Sequence, residues 1–242
     1  VIEVRDIARD FGRVRAVDGV SFTVAAGEVV GLLGPNGAGK TTALRLLGGL
    51  LTPARGEARI QGLDVRQRPV EARRHLGFLT GSTGLYDRLT GREVVETFGR
   101  LQGLEGEVLE RRVDALAREL ELEPFFHQRC GAMSSGQRQR VSIARAVVHD
   151  PAALVLDEPT AALDPVASRD ILDLVRRAQG RGKAVLFSTH RMDEAEHLCT
   201  RLLFMRAGRV VAAGTAQALR EGSGQPTLTG AFLHYATVPE AS

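Results

Sequence analysis

Gly34-Pro35-Asn36-Gly37-Ala38-Gly39-Lys40-Thr41 satisfies the pattern G-x-x-x-x-G-K-[ST] between an apolar run, Val29 to Leu33, and a helical run, Thr42 to Leu51. Glycines at these places let successive backbone N–H groups turn toward a phosphate, and the helix that follows adds its positive N-terminal end. Lys40 then reaches the β- and γ-phosphates, and the hydroxyl of Thr41 is available to Mg2+. Lys40 and Lys183 are the only lysines among 32 basic residues, so a lysine kept at this point carries information that an arginine would not. The ligand this spacing asks for is a nucleoside triphosphate, with Thr42 closing the set of contacts. A second apolar run, Ala152 to Leu156, ends in Asp157 and Glu158. Asp157 is suited to hold Mg2+ through water. Glu158, pointing the other way, is suited to orient or deprotonate an attacking water, since phosphoryl transfer depends on positioning and charge stabilisation.

Between the two lies Met133-Ser134-Ser135-Gly136-Gln137, which opens a helical run. Read alone, it is a helix cap that doubles as an anion-binding end. Asp164 follows in Ala161-Ala162-Leu163-Asp164, and His190 closes Phe187-Ser188-Thr189-His190. In this order, from Val1 to about Gly214, the chain closely resembles the ATP-binding cassette of ABC transporters, Ser134 to Gln137 forming a variant of that family's signature. The resemblance implies ATP and Mg2+ as ligands and a head-to-tail pair of cassettes, homodimeric or heterodimeric. In such a pair Ser134, Ser135, Gly136 and Gln137 would reach the ATP held by the partner, and Asp164 would cross the interface. It also implies that His190 contacts the γ-phosphate beside Glu158, and that Phe11 stacks on adenine.

One departure stands out. The family places a glutamine at the end of the strand after the phosphate-loop helix, where it reaches Mg2+ and water; here Gly81 holds that position. Water, Thr80 or Ser82 is expected to take its part. The stretch Gly77 to Thr90 resembles exporter cassettes of the sodium-efflux and multidrug type. That resemblance implies export through a separate integral membrane permease, with Leu85 and Tyr86 expected at the contact and the cassette peripheral on the cytoplasmic face of the membrane. A soluble cassette ATPase of the iron–sulfur assembly kind, or a degenerate half of a heterodimer, is the alternative.

The elements that must position these residues follow from periodicity. Short strands are expected at Val1 to Ile7, Val20 to Val24, Glu28 to Leu33 and Glu57 to Gln61. Thr90 and Glu93 form a T-x-x-E capping box ahead of Val94, Phe98 and Leu101 at helical spacing, and Leu109, Val113, Leu116 and Leu120 mark a second helix, expected to end at Pro124. A helix over Gln137 to His149, a strand over Ala153 to Leu156, a helix from Pro165 and a strand over Ala184 to Phe187 come next. A hairpin then turns at Ala207 and Gly208. Strands alternating with helices imply a parallel sheet. The fold class is α/β: a P-loop NTPase (RecA-like) core with an N-terminal antiparallel β portion and an inserted helical lobe over about 82–150. One domain is expected over 1–222, followed by a short accessory tail over 223–242.

Composition fits this reading. Two cysteines, Cys130 and Cys199, are too few for a disulfide framework, and a reducing compartment is expected. No apolar run approaches the ~18 residues of a membrane span, and the first residues lack the apolar stretch of a signal peptide. The net charge of +3 comes from arginines spread along the whole chain, so no nucleic-acid partner is expected.

Overall fold

The computed structural model describes residues 1–80, 84–161 and 163–237. The first part of the chain forms β1 (Ile2–Phe11), β2 (Val14–Val24), β3 (Val29–Leu33), α1 (Lys40–Leu47), β4 (Arg55–Ile60), β5 (Leu63–Asp64), α2 (Pro69–Arg74) and β6 (Leu76–Leu79). Three helices follow: α3 (Gly91–Leu101), α4 (Gly106–Glu119) and α5 (Ser135–Val147). The chain then alternates through β7 (Ala153–Asp157), α6 (Pro165–Gly180), β8 (Ala184–Thr189), α7 (Met192–Leu198), β9 (Arg201–Arg206) and β10 (Arg209–Gly214), and continues into α8 (Ala216–Ser223) and α9 (Leu228–Thr237). No helix among the described residues is long and apolar enough to cross a membrane.

Two sheets carry the molecule. An antiparallel sheet has the order β2-β1-β4-β5, and a larger one the order β10-β9-β3-β8-β7-β6, in which only β10 runs antiparallel to its neighbour. The strands β3, β7 and β8 are buried at every residue, as expected of parallel strands covered on both faces. One apolar core fills the space between the first sheet, α1 and the larger sheet; a second unites the other face of the larger sheet with α3, α4, α5 and α6.

The differences from the sequence reading have local causes. β2 begins six residues earlier than expected, because Gly19 (φ +68°) is absorbed in an irregularity opposite Ala8, next to a second one that holds Asp6 (φ +50°), instead of ending the strand. The turn into β2 is tight, with Gly12 at φ +59°. α1 starts at Lys40 and stops at Leu47, before Gly49 at φ +65°. α4 ends before Pro124: Glu121 takes φ +51° and the N–H of Leu122 donates to the carbonyl of Ala117 at 2.7 Å, a Schellman closure without glycine. The segment read as an accessory tail forms α9, which buries Leu228 and Ala231 and sets Phe232 edge-on against Phe204, ring centres 5.2 Å apart.

Candidate functional site

The strand order decides the site. β8 lies between β3 and β7, so the loops leaving the C-terminal ends of these three strands meet although they are far apart in the chain. The loop after β3 carries Gly34 to Gly39 and delivers the chain into α1. Gly39 adopts φ +99°, and a Cβ there would overlap the carbonyl oxygen of Ala16; a Cβ at Gly34 would overlap that of Met205. Only glycine lets the loop pass this close to β2 and β9. The N–H of Gly208 donates to the carbonyl of Ala38 at 2.9 Å, which ties the loop to the terminal hairpin.

Among the described residues no side chain caps the N-terminus of α1, and no acidic residue stands in its first turn. Its orphan N–H groups therefore open on a cleft of about 530 Å³ lined by Ala16, Pro35 to Thr42 and Glu158. Lys40 is buried, its Nζ donating to the carbonyls of Gly34 (2.6 Å) and Pro35 (3.3 Å) and standing 3.8 Å from Oε1 of Glu158. The other carboxylate oxygen of Glu158 is 3.3 Å from Nδ1 of His190. A cation, a carboxylate and an imidazole thus converge at one mouth of the cleft, the arrangement needed to bind a phosphate chain and direct a water at it.

Asp157 and Glu158 do not diverge by strand alternation, as the sequence suggests. Glu158 has left the strand and sits at φ +47°, where its N–H donates to both the carbonyl (3.1 Å) and the Oγ (3.0 Å) of Ser188. The same Ser188 hydroxyl donates to Oδ1 of Asp157 at 2.6 Å, so one fully buried serine holds the Asp157 carboxylate and the Glu158 backbone.

Ser134 caps α5, its Oγ accepting the N–H of Gln137 at 3.3 Å while Oε1 of Gln137 accepts the N–H of Ser134 at 2.9 Å. None of Ser134, Ser135, Gly136 and Gln137 lines the cleft. Asp164 caps α6 by accepting from Val166 (2.9 Å) and Ala167 (3.0 Å), and these N–H groups, Ala167 first, hold its carboxyl below the usual carboxylate range. Phe11 is 46% exposed at the end of β1, outside the cleft lining, with the Arg9 guanidinium 5.2 Å from its ring centre.

Residues 17–161 match the family described as ABC transporter. The chain belongs to this family. It is 39% identical over 221 residues to the ABC transporter ATP-binding protein NatA of Bacillus subtilis, covering 91% of this chain and 90% of that one. It is 42% identical over 220 residues to the Nod factor export ATP-binding protein I of Burkholderia lata, covering 91% and 72%. Among solved structures, the dimeric post-hydrolysis state of an ATP-binding cassette bound to ADP and Pi matches at TM-score 0.81 and 28% identity, over 89% of this chain and 98% of that one. The chain is an ATP-binding subunit of an ABC transporter and an ATP hydrolase.

Leu85 is 8% exposed and packed in the core of the helical lobe, so its side chain is not free to meet a partner as expected, whereas Tyr86 is 62% exposed. Gly81 and Ser82, on which the missing glutamine turns, lie outside the described residues, as does Ala162; Thr80 is buried at the end of β6. Four residues of the site neighbourhood went unread in the sequence: Ser188, Thr160, Glu194 and Gln139, whose Nε2 donates to the carbonyl of Pro159 at 2.6 Å. Ser188 stands inside the Phe187-Ser188-Thr189-His190 motif and Thr160 between the acidic pair and Ala161-Ala162-Leu163-Asp164, and that proximity is the available signal. Glu194 had none, because a glutamate in the first turn of a helix is ordinary.

Proposed function

We propose that this chain hydrolyses ATP against a second cassette and that closure of the pair drives export through a separate membrane permease. The observation that carries the reading is the convergence of Lys40, Glu158 and His190 at the uncapped end of α1. Gly34 to Thr42 hold the phosphates. Glu158 orients or deprotonates the attacking water, and His190 contacts the γ-phosphate and steadies Glu158. Phe11, stacked with Arg9 on one side, offers its other face to adenine.

Thr41 and Asp157 suit Mg2+. Both present hard oxygens, Asp157 is already oriented by Ser188 to act through water, and one direct protein ligand would leave room for the waters and phosphate oxygens this ion retains. When bound, Mg2+ neutralises charge developing on the β- and γ-phosphate oxygens. Ser134 and Ser135 are exposed, as is Asp164, consistent with their facing a partner cassette. We place the cassette domain over 1–222, with its helical lobe over about 82–150 and α9 of the following segment packed back onto β9.

A groove of about 220 Å³ between the end of α1, β6 and the helices α3 and α5 is lined by exposed Leu50, half-buried Phe78 and Phe98, and buried Arg145. A permease segment is expected there and at Tyr86, with the cassette peripheral on the cytoplasmic face of the membrane. The export-type name of the Burkholderia lata relative supports the direction.

The test uses Glu158→Gln. Phosphate release should fall by about 100-fold or more, while ATP binding persists and the variant becomes dimeric in ATP and Mg2+ by sedimentation. A strictly monomeric variant saturated with ATP would defeat the two-cassette reading. In the native host the tagged chain should co-purify with a polytopic membrane protein and lose it on Tyr86→Glu. Recovery solely with cytosolic cluster-assembly proteins would overturn the transporter.

A further inference from the structure

Glu194, in the first turn of α7, is a carboxylate with its side chain only 2% exposed. Its Oε2 accepts the hydroxyls of Thr160 (2.8 Å) and Thr189 (3.2 Å), both themselves buried. Its Oε1 lies 2.8 Å from Nη1 of Arg191, close enough for an ion pair though without the alignment of a hydrogen bond. Thr189 Oγ1 in turn accepts the N–H of Arg191 at 3.0 Å. An ionised side chain withdrawn from water is costly unless several partners compensate it, and a leucine would fill the same space without that cost. The partners therefore define its use: Thr160 is two residues beyond Glu158, and Thr189 and Arg191 flank His190.

We infer that Glu194 is a positioning residue for ATP hydrolysis, clamping the loop that carries Glu158 to the loop that carries His190. The inference rests on the assignment of Glu158 and His190 to hydrolysis. On the near side, Ser188 joins the two loops through the N–H of Glu158. On the far side, no other side chain among the described residues accepts from both Thr160 and Thr189. Glu158 sits at φ +47°, a conformation that persists only when its surroundings enforce it. Releasing the far side lets the loop relax and spreads the Glu158–His190 contact of 3.3 Å over a range of geometries. Glu194 touches no reacting atom; it acts by holding the two groups that do.

The experiment compares Glu194→Ala, Glu194→Gln and Thr160→Val in the full chain, with kcat and the dissociation constant for ATP measured separately. Glu194→Ala should lower kcat by about 10- to 100-fold while ATP affinity stays within about twofold. Glu194→Gln, whose amide oxygen accepts the same two hydroxyls, should recover most of the rate, and Thr160→Val, which keeps the shape and removes one donor, should fall between. If Glu194→Ala fails to fold, Thr160→Val carries the test. Equal losses of kcat and ATP affinity, a folded Glu194→Ala with wild-type kcat, or a Glu194→Gln as slow as Glu194→Ala would each overturn the clamp. Glu158→Gln is run alongside: full turnover there would remove the hydrolytic reading itself, whereas a dead Glu158→Gln beside a wild-type Glu194→Ala would remove only the clamp.

Discussion

Lys40, Thr41, Asp157, Glu158 and His190 are legible in the sequence because each sits in a short motif whose chemistry depends on neighbours along the chain. The glycines are legible for the same reason, yet their necessity is tertiary. Gly39 is required less by the phosphate it would face than by the carbonyl of Ala16 behind it. Gly39→Ala should therefore destabilise the protein by about 3 kcal/mol or more, from a forbidden φ combined with overlap, measured by urea unfolding without nucleotide. A loss of nucleotide affinity with unchanged stability would show that the loop can shift away from β2. Ser188 illustrates the converse case: nothing about a serine in a strand announces that it holds the carboxylate of Asp157 and the backbone of Glu158, since these lie on and just beyond the neighbouring strand.

Helix starts leave clearer marks in this sequence than helix ends. The capping box at Thr90 is present in full, Thr90 Oγ1 accepting from Glu93 at 3.2 Å and the Glu93 carboxylate accepting the Thr90 N–H at 2.8 Å. Thr90→Ala should cost about 1 kcal/mol in a chemical unfolding curve. Ends such as that of α4 depend on a residue entering the left-handed region, which Glu121 does without being glycine, and so leave no mark in the sequence. At the junction of α5 with β6, burial pushes the His149 imidazole down to about 4. Its Nε2 is 3.2 Å from the carbonyl of Leu76, and its Nδ1 is buried without a partner among the described residues, so a second proton would have no acceptor there. An unfolded histidine takes up its proton near pH 6.5, whereas this one resists until about 4. Stability should be flat above about pH 6.5 and fall toward pH 4 by up to about 3 kcal/mol. His149→Leu should flatten that slope in urea titrations at pH 7, 5.5 and 4.5; an unchanged slope would assign the acid sensitivity to other groups.

At the scale of the molecule, the final helices are part of the core. Phe204 on β9 meets Phe232 and Tyr235 of α9, and Leu219, Leu228 and Ala231 complete the cluster. Truncation after Gly224 should uncover Phe204 and lower the melting temperature by several degrees, as expected of about 2 kcal/mol in a domain of this size. An unchanged melting temperature would show α9 to be dispensable. The sequence alone determined the ligand class, the family, the α/β class and the strand-to-helix order, because these are written in motifs and periodicities that span fewer than twenty residues. Only the tertiary structure decided which loops meet. The insertion of β8 between β3 and β7 is a pairing choice across distant segments, and it places Glu158 within 3.8 Å of Lys40 and 3.3 Å of His190. The same packing sent Leu85 inward and left Tyr86 outside, and it buried Glu194 between two loops. Burial and long-range contact depend on what the rest of the chain brings alongside, and no local pattern of residue types encodes that.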